Sequence, residues 1–428
     1  MQTKKIRLFL TSIGALAPLL CAVPQASATP VYARQTGFSC AACHFEQFPL
    51  LNAYGRSFKA NGYIDSGLGK QSKIEDDNLS LPSTLNASFV SKLRYQKTNG
   101  SANTPESGPT NYGNISFPDE AFLVIGGRVS KNIGFEIGLS VVPQDVTDGK
   151  ILTEFKMPIM TKVDDFTLSA IPFTTSSQGP AYGFELLNTG AVEFARAFEN
   201  AEETSAQQYL GTAHEASGVA LVVYHKYGYI NYTPYVMAQG NFGIKQPLNY
   251  IRAVVTPKAG DWDLGAGVQI WTGESKVKYV AVDNSVSPST STFTTKEEHA
   301  DAWAMDLQGQ GKVGNLPLGL YATYGKAGKT VDPLDPNTYN DSTSGDKKVW
   351  TVSGMLGVIP DRLALGLGYR SAHTGTGSAD ADNAVTLGLA YMPARNIQFQ
   401  LNQSFYTGDT HTGDTGKNLT TLVLYSAF

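Results

Sequence analysis

Two cysteines and a histidine stand together near the N-terminus, in the run Cys40-Ala41-Ala42-Cys43-His44. The spacing C-x-x-C-H is that of the covalent attachment site of a c-type haem. In such a site the two thiols add to the haem vinyl groups, and the adjacent histidine binds the iron from one face. A disulfide between the two cysteines is the simpler alternative, but it would not require the histidine. A zinc site is excluded because no second cysteine or histidine cluster completes the ligand set.

The first 28 residues have the pattern of a secretory signal. They carry three cations, an apolar run over 8–23 and the small-residue sequence Ala26-Ser27-Ala28, so we expect cleavage before Thr29. Cys21 lies inside the apolar run and would be removed with the signal. Loss of the three cations changes the formal net charge from −4 to −7. An acidic exported chain is a poor candidate for nucleic-acid binding.

From about residue 85 onward, apolar residues recur with a period of two. In the segment 85–95 the odd positions are mostly apolar and the even positions mostly polar. This alternation is typical of outer-membrane barrel strands, which have one face on lipid and the other on an aqueous lumen. No apolar run after the signal is long enough for a membrane-spanning helix. A soluble β-sandwich is the alternative, but the regular succession of short and long connections favours the barrel.

The connections between these alternating segments predict the strand number. Seven short ones would be periplasmic turns, at 131–132, 164–165, 227–228, 258–260, 314–315, 360–361 and 393–395. Eight longer ones would be outward loops, at 97–118, 144–149, 176–215, 240–247, 274–299, 328–346, 374–382 and 408–416. Fifteen connections predict an all-β, 16-stranded antiparallel barrel over 81–428, with both ends periplasmic. A further hairpin within 185–198 is an alternative, so fourteen or eighteen strands stay open.

Residues 29–80 would form a separate haem segment. About fifty residues are too few to bury a haem alone, so the segment needs a second wall. We therefore expect it to act as a small helical plug in the barrel lumen or at its periplasmic mouth. Within it we predict one short helix starting after Pro49, whose apolar face would line the haem. That face would consist of Leu50, Leu51, Tyr54 and Phe58.

The haem segment resembles that of the outer-membrane monohaem cytochrome-porin fusions of iron-oxidising bacteria. The resemblance rests on Ala33-Arg34-Gln35-Thr36-Gly37, the C-x-x-C-H motif, Pro49-Leu50, Gly55-Arg56, Phe58-Lys59 and Gly62-Tyr63. In that family a single c-type haem precedes a 16-stranded barrel. The terminal Phe428 resembles the C-terminal signal of Gram-negative outer-membrane barrels.

The resemblance implies an Fe(II)-oxidising cytochrome of the iron:cytochrome c oxidoreductase type. It would take electrons from extracellular Fe(II) or another donor and pass them to a periplasmic cytochrome or copper protein. It would reside in the bacterial outer membrane, in contact with outer-membrane lipid. Relatives with unknown donors share the segment, so iron is inferred from the family alone. The oligomeric state is not predicted.

Site residues follow from the same resemblance. Cys40 and Cys43 would form the thioethers to one covalently bound haem c, and His44 would be the proximal iron ligand. Three cations are candidates to neutralise the haem propionates. They are Arg34, Arg56 and Lys59. The alternative is that these cations only keep a short segment soluble.

The distal haem ligand is open. Between Thr29 and Pro82 there is no methionine and no histidine besides His44. The distal position would be vacant, filled by a weak local donor, or supplied by the barrel wall. The local candidates are Lys59, Asn52 and Tyr54. Strand parity puts Met160, Met355 and Met392 on lumen-facing positions near periplasmic turns, and Met160 or Met355 is the preferred distal ligand. His225 is a further candidate. The simpler interpretation is that each of these side chains is an ordinary packing residue.

The leading hypothesis is an electron conduit. A solute porin with an accessory haem segment and outward electron transfer to an external acceptor are the alternatives. Carboxylates of the outward loops would draw cations toward the pore, although solvated loops are the simpler interpretation. They include Glu193, Glu199, Glu202, Glu203, Glu297, Glu298, Asp301, Asp332, Asp335, Asp380, Asp382, Asp409 and Asp414. No paired acids, Ser-His-Asp set or phosphate loop supports hydrolytic or nucleotide chemistry.

Overall fold

In a computed structural model of the protein, most of the chain folds into a closed antiparallel barrel. The structure describes residues 30–65, 73–76, 79–101, 109–142, 151–283 and 290–428. The expected signal at 1–28 and the expected connection at 144–149 lie outside the described residues. Among the described residues, no helix has the length and apolarity needed to cross a membrane.

The barrel wall contains nineteen strand segments that make sixteen strands, which confirms the predicted fold class. Leu152–Lys156 and Ile159–Val163 are two parts of one strand that both pair with Phe166–Thr175. The segments Phe242–Gln246, Leu248–Val255 and Lys258–Ala259 are likewise parts of one strand, and all pair with Trp262–Asp283. Each break lies at a proline, which cannot donate to the ladder. These prolines are Pro158, Pro247 and Pro257. The segments are β5 (Ala87–Thr98), β6 (Asn114–Arg128), β7 (Gly134–Ser140), β8 (Leu152–Lys156), β9 (Ile159–Val163), β10 (Phe166–Thr175), β11 (Ala216–His225), β12 (Gly228–Val236), β13 (Phe242–Gln246), β14 (Leu248–Val255), β15 (Lys258–Ala259), β16 (Trp262–Asp283), β17 (Thr290–Val313), β18 (Leu316–Ala327), β19 (Lys347–Ile359), β20 (Leu363–His373), β21 (Asp382–Ala394), β22 (Ile397–Gly408) and β23 (Asn418–Ala427).

The period-two pattern separates the outer and inner faces of the wall. In β16, Val268 and Ile270 are 46% and 43% exposed on the outside, whereas Gln269 between them is 0% exposed on the inside. Apolar side chains on the outer face and polar side chains on the inner face are the distribution of a barrel that sits in lipid. The barrel closes through β5 and β23, which pair from Val90 with Ala427 to Thr98 with Leu419.

The seven short connections are confirmed, and two of the longer ones are wrong. The range 274–299 is mostly a long hairpin, because β16 and β17 stay paired as far as Asp283 with Thr290. Within 240–247, β13 pairs with the same extension. Beyond the apolar band both faces of a hairpin meet water, so the alternation that marks a strand is lost there.

Short helices and two small hairpins complete the structure. The predicted helix after Pro49 is wrong at its start, because Gln47–Leu51 is a strand and the helix begins only at Ala53. Asn52 ends the strand and caps the helix, its side chain accepting from the Gly55 N–H at 3.0 Å. The helices are α1 (Val31–Thr36), α2 (Ala53–Ala60) and α3 (Ala206–Leu210), with 3-10 turns at Cys40–Ala42, Pro180–Gly183 and Ala201–Glu203; the hairpins are β1 (His44–Phe45) with β2 (Gln47–Leu51) and β3 (Lys73–Asp76) with β4 (Leu79–Pro82).

The connection 176–215 is a single loop without a strand, as predicted, but it folds into the lumen instead of outward. Arg252 of the wall donates to Glu185 of the loop at 2.9 Å and to Asp306 of the wall at 2.7 Å, and none of the three side chains is exposed. Thr189 of the loop donates to the same Asp306 at 2.5 Å. A buried cation without partners would be strongly destabilising, so this ion-pair triad fixes the loop against the wall.

Two of the predicted cation-attracting acids, Glu199 and Glu203, lie in this loop and are not solvated. The Glu199 side chain is only 9% exposed and accepts from Lys92 at 2.9 Å and from Arg94 at 2.6 Å. Glu203 is 4% exposed and accepts from the Tyr406 hydroxyl at 2.6 Å. The expectation that both draw cations from the outside is wrong, because each is already engaged by lumen side chains.

Asp306→Asn removes one charged partner of Arg252 while keeping its shape. Breaking a buried ion pair costs about 3–5 kcal/mol, so we expect the loop to leave the wall more often. Single-channel conductance in planar bilayers should rise, and trypsin should cleave sooner after Arg196. Glu297→Gln, which removes an exposed partner of Lys276, is the matched control and should change neither readout. Unchanged conductance and cleavage in Asp306→Asn would contradict the docking role of the triad.

Candidate cofactor site

The C-x-x-C-H motif folds into one tight turn. The 3-10 turn Cys40–Ala42 is closed by the Cys43 N–H, which donates to the Cys40 carbonyl at 3.1 Å. This brings the two free thiols to the same side of the chain. Burial raises the pKa of the Cys43 thiol to about 11, with Cys40 as a second, smaller cause. The thiols are therefore neutral, and the pair is not poised as a metal-binding thiolate site.

Asn52 holds this turn to helix α2. Its side chain caps the helix and also donates to the Ala42 carbonyl at 3.0 Å, while its backbone N–H donates to the Cys43 carbonyl at 2.9 Å. Gly55, on the first turn of α2, lies so close to the Cys43 carbonyl that a Cβ there would clash with it. Only glycine permits this approach, because every other residue adds that atom.

His44 is oriented with one nitrogen engaged and one available. Its Nδ1 lies 3.2 Å from the Leu50 carbonyl, so Nδ1 carries the proton and donates to that oxygen. Burial lowers the pKa of His44 to about 4, against smaller opposing effects of the Leu50 and Pro49 carbonyls. The ring is therefore neutral, and Nε2 keeps its lone pair. An imidazole fixed by Nδ1 on a backbone carbonyl is the usual arrangement of a histidine that binds a metal through Nε2.

Both thiols and His44 border one cavity of about 300 Å³ between the N-terminal segment and the barrel. Its lining is predominantly apolar. The segment supplies Val31, Phe38, Phe48, Leu51 and Phe58, the inward loop supplies Val192 and Phe194, and the wall supplies Val90, Val124 and Tyr425. Among the residues that border this cavity, His44 is the one histidine and there is no methionine.

One edge of the cavity is charged. Glu136 accepts from the Tyr32 hydroxyl at 2.7 Å and from Lys156 at 3.0 Å. Lys59 borders the same cavity, and among the described residues it forms no ion pair within 4.0 Å. Burial, and then the nearby Lys156, lower the pKa of Lys59 to about 8, so it is still mostly cationic at neutral pH. The edge therefore offers a cation that no carboxylate neutralises directly.

The segment is fastened to the barrel by hydrogen bonds along β2 and α2. The backbone of Phe48 exchanges hydrogen bonds of 2.9 and 3.2 Å with the Gln398 side chain, and that of Leu51 exchanges two of 2.8 Å with Asn188 of the inward loop. Gln47 donates to the Ala197 carbonyl. Wall and loop amides thus satisfy backbone groups of β2 beyond its short pairing with β1, which explains why β2 is extended and not helical.

The predicted propionate partners lie in three different places. Lys59 borders the cavity, as the prediction requires. Arg56 does not, because its guanidinium donates to Asp263 at 2.6 Å and to Gln310 at 2.7 Å. That ion pair fastens α2 to the wall. Arg34 is exposed and does not border the cavity.

The candidate distal ligands of the wall lie away from the cavity. Met160 packs against Gly62, and Met355 belongs to an apolar cluster with Leu50. Met392 borders a separate, much smaller cavity together with Cys40 and His44. Of the local donors, Lys59 borders the main cavity, whereas Asn52 and Tyr54 do not.

Several residues of the site are marked neither by the C-x-x-C-H motif nor by the alternation of apolar residues. Asn52 organises the motif turn, and its position before a helical pattern is a recognisable N-cap signal. Lys156, Phe194 and Tyr425 complete the cavity from three distant parts of the chain. No local pattern marks those three, since their role arises only when the barrel closes.

Two further cavities adjoin the first along the wall formed by β5 to β8. One of about 240 Å³ lies beside Lys92 and Glu120, and one of about 300 Å³ reaches Ser176 at the long-connection end of β10. Phe194 and Glu154 border all three cavities. The three form a series from the short-turn end of the barrel toward the opposite end.

No protein-family model and no curated protein matches the chain. Among solved structures, a loop L8 deletion mutant of OmpT, an outer membrane protein of Vibrio cholerae, is similar with 13% identity and a TM-score of 0.49, over 81% of this chain and 99% of that one. The outer membrane channel DcaP of Acinetobacter baumannii has 11% identity and a TM-score of 0.47, over 80% and 97%. Salmonella typhi OmpF in complex with daunomycin has 12% identity and a TM-score of 0.46, over 83% and 100%.

Gly55→Ala tests the close approach of α2 to the motif turn. The added Cβ would press on the Cys43 carbonyl, and overpacking of this kind costs about 1–3 kcal/mol. We expect a looser N-terminal segment, read as faster tryptic cleavage after Arg56 and Lys59 in the detergent-purified protein. Gly413→Ala is the control, because a Cβ there meets nothing within 4 Å. Equal cleavage rates in the two variants would contradict the contact.

Proposed function

We propose that this protein is an outer-membrane c-type cytochrome fused to a porin-type barrel. It moves electrons from an extracellular donor, Fe(II) in the first place, through one covalently bound haem c to a periplasmic cytochrome or copper protein. One observation carries the proposal. Cys40, Cys43 and His44 converge on a single, mostly apolar cavity that the barrel wall closes.

The residues present fit a haem c. Two neutral thiols stand on one side of the cavity, and the imidazole beside them keeps Nε2 available. Aromatic and aliphatic side chains supply the apolar surroundings that a macrocycle needs, and Lys59 supplies a cation suited to a propionate. When bound, the haem supplies one-electron redox chemistry. The chain would supply covalent attachment through Cys40 and Cys43, an iron ligand from His44, exclusion of water and a charged edge.

The position of the cavity supports transfer between the two sides of the membrane. Cys40 and His44 border a second small cavity together with Asp361 and Arg395. Both of these residues lie in short turns, which the proposal assigns to the periplasmic side. A carrier docking at that end would therefore approach the motif closely. Toward the other end, the series of adjoining cavities gives an external donor an approach along the wall.

A solute porin with an accessory haem segment is the second candidate. The same adjoining cavities favour it, because they also offer a small solute a path beside the inward loop. Outward electron transfer to an external acceptor uses the same site in the opposite direction. Reduction of the haem by added Fe(II), together with solute uptake, distinguishes these hypotheses.

The full-length exported protein should keep a haem-stained band in denaturing electrophoresis and give a reduced spectrum after Fe(II) is added. Cys40→Ala/Cys43→Ala should lose both, because the thioethers cannot form, while the barrel still shows heat-modifiable migration. Ser83→Ala, at an exposed serine that does not border the cavity, is the control and should behave as wild type.

The possible failures of this experiment are distinct. Absence of the stained band in the wild type would overturn the cytochrome. A stained band that Fe(II) does not reduce at any pH would overturn Fe(II) as donor. Solute uptake that is equal in the wild type and the double cysteine variant would then favour the porin.

Lys59→Gln should lower the reduction potential of the haem. A cation beside a haem disfavours the oxidised, more positive form, and a charge interaction of about 1–2 kcal/mol at an effective dielectric constant near 20 corresponds to some tens of millivolts. Spectroelectrochemical titration measures the shift. Arg34→Gln is the control, because it removes an exposed cation that does not border the cavity. Equal potentials in the wild type and Lys59→Gln would contradict a role of Lys59 at the haem edge.

A further inference from the structure

A second group of metal-ligating side chains lies far from the motif, on the side of the long connections. Glu274 of β16, His299 of β17 and Asp335 of the connection 328–346 each offer one ligand atom, and these atoms all lie within 4.8 Å of one another. The cluster combines one imidazole with two carboxylates and is therefore more than an acidic patch.

Among the described residues, Glu274, His299 and Asp335 form no ion pair within 4.0 Å. His299 Nδ1 is buried and makes no hydrogen bond. Lys276 interacts electrostatically with Glu274 and Asp335, but its ion pair is with Glu297, at 3.0 Å. The other carboxylate group of this kind differs in that respect, because Asp119, Glu120 and Glu199 are engaged by the cations Lys92, Arg94 and Arg196. A buried imidazole nitrogen without a partner costs free energy, which a bound cation would recover.

The backbone fixes the three ligands before any ion binds. Glu274 and His299 are direct cross-strand partners. The connection carrying Asp335 is tied to the same hairpin, since the Thr338 N–H donates to the His299 carbonyl at 2.8 Å and Asn337 Nδ2 donates to the Asp301 carbonyl at 2.9 Å. Two strands and an anchored loop therefore present the ligands together, so little ordering is needed on binding.

We propose that Glu274, His299 and Asp335 form a site for a divalent first-row metal ion at the outer rim of the barrel. An imidazole with two carboxylates suits Fe(II), Mn(II) and Zn(II), whereas Ca(II) and Mg(II) prefer oxygen ligands alone. Both carboxylates are exposed, so the ion exchanges with solvent and keeps water in its remaining positions. The site does not depend on the haem.

Mn(II) is the probe for this site in the detergent-purified full-length protein, with binding measured by loss of the free Mn(II) EPR signal. The wild type should bind one ion that Asp335→Asn and His299→Gln bind at least about tenfold more weakly, because each loses one of three ligands. Glu297→Gln is the matched control, an exposed acid on the same strand, and should bind as wild type. Zn(II) should displace Mn(II) at lower concentration than Ca(II) does.

Asp335→Asn keeps the proposal falsifiable if His299→Gln fails to assemble, because Asp335 is exposed and its replacement preserves its shape. Wild-type binding in Asp335→Asn would overturn the site. Displacement by Ca(II) as readily as by Zn(II) would also overturn it, since only a diffuse acidic surface would then hold the ion. These outcomes are independent of haem attachment and of Fe(II) oxidation.

Discussion

The ion pairs of Arg252 with Glu185 and Asp306 are the interaction on which the interior of this barrel depends. A fully buried guanidinium needs partners on every donor, and the wall alone supplies only one carboxylate. The second carboxylate belongs to the loop 176–215, which must therefore fold inward. Once inside, the loop brings Asn188 to the backbone of Leu51 and Phe194 to the cavity. One buried charge thus places both the support and the far wall of the candidate site.

The N-terminal segment uses the barrel as its hydrophobic core. Its described part, residues 30–65, contributes aromatic side chains to one face of a cavity but cannot enclose it, as expected for so short a chain. The barrel completes the cavity with apolar side chains of β5, β6 and β23 and with the Glu136 and Lys156 pair. The lumen of a water-filled pore is polar. In this barrel the lumen is apolar where the N-terminal segment docks. At this position the wall presents apolar side chains to the N-terminal segment.

Under the proposed function, the two ends of the barrel have different tasks. At the short-turn end the motif lies next to the turns at Asp361 and Arg395, where a carrier can approach. Along the wall, cavities that share Phe194 and Glu154 extend from the motif toward the other end. At the rim of that end stands an imidazole and carboxylate cluster. A porin requires only the series of cavities along the wall, whereas an electron conduit requires access to one site from both sides of the membrane. The described barrel contains the series of cavities, and the motif lies near its short-turn end.

The sequence by itself determined the parts of this structure that depend on local pattern. The C-x-x-C-H spacing specified a chemically distinct turn, period-two alternation specified the strands, and the short connections specified their number, because each is encoded within a few neighbouring residues. Only the tertiary structure decided the rest. Leu51 is extended instead of helical because Asn188 pairs with its backbone, and Arg56 serves the wall at Asp263 instead of the cavity. Such outcomes are set by partners more than a hundred residues away, and local propensity carries no information about them.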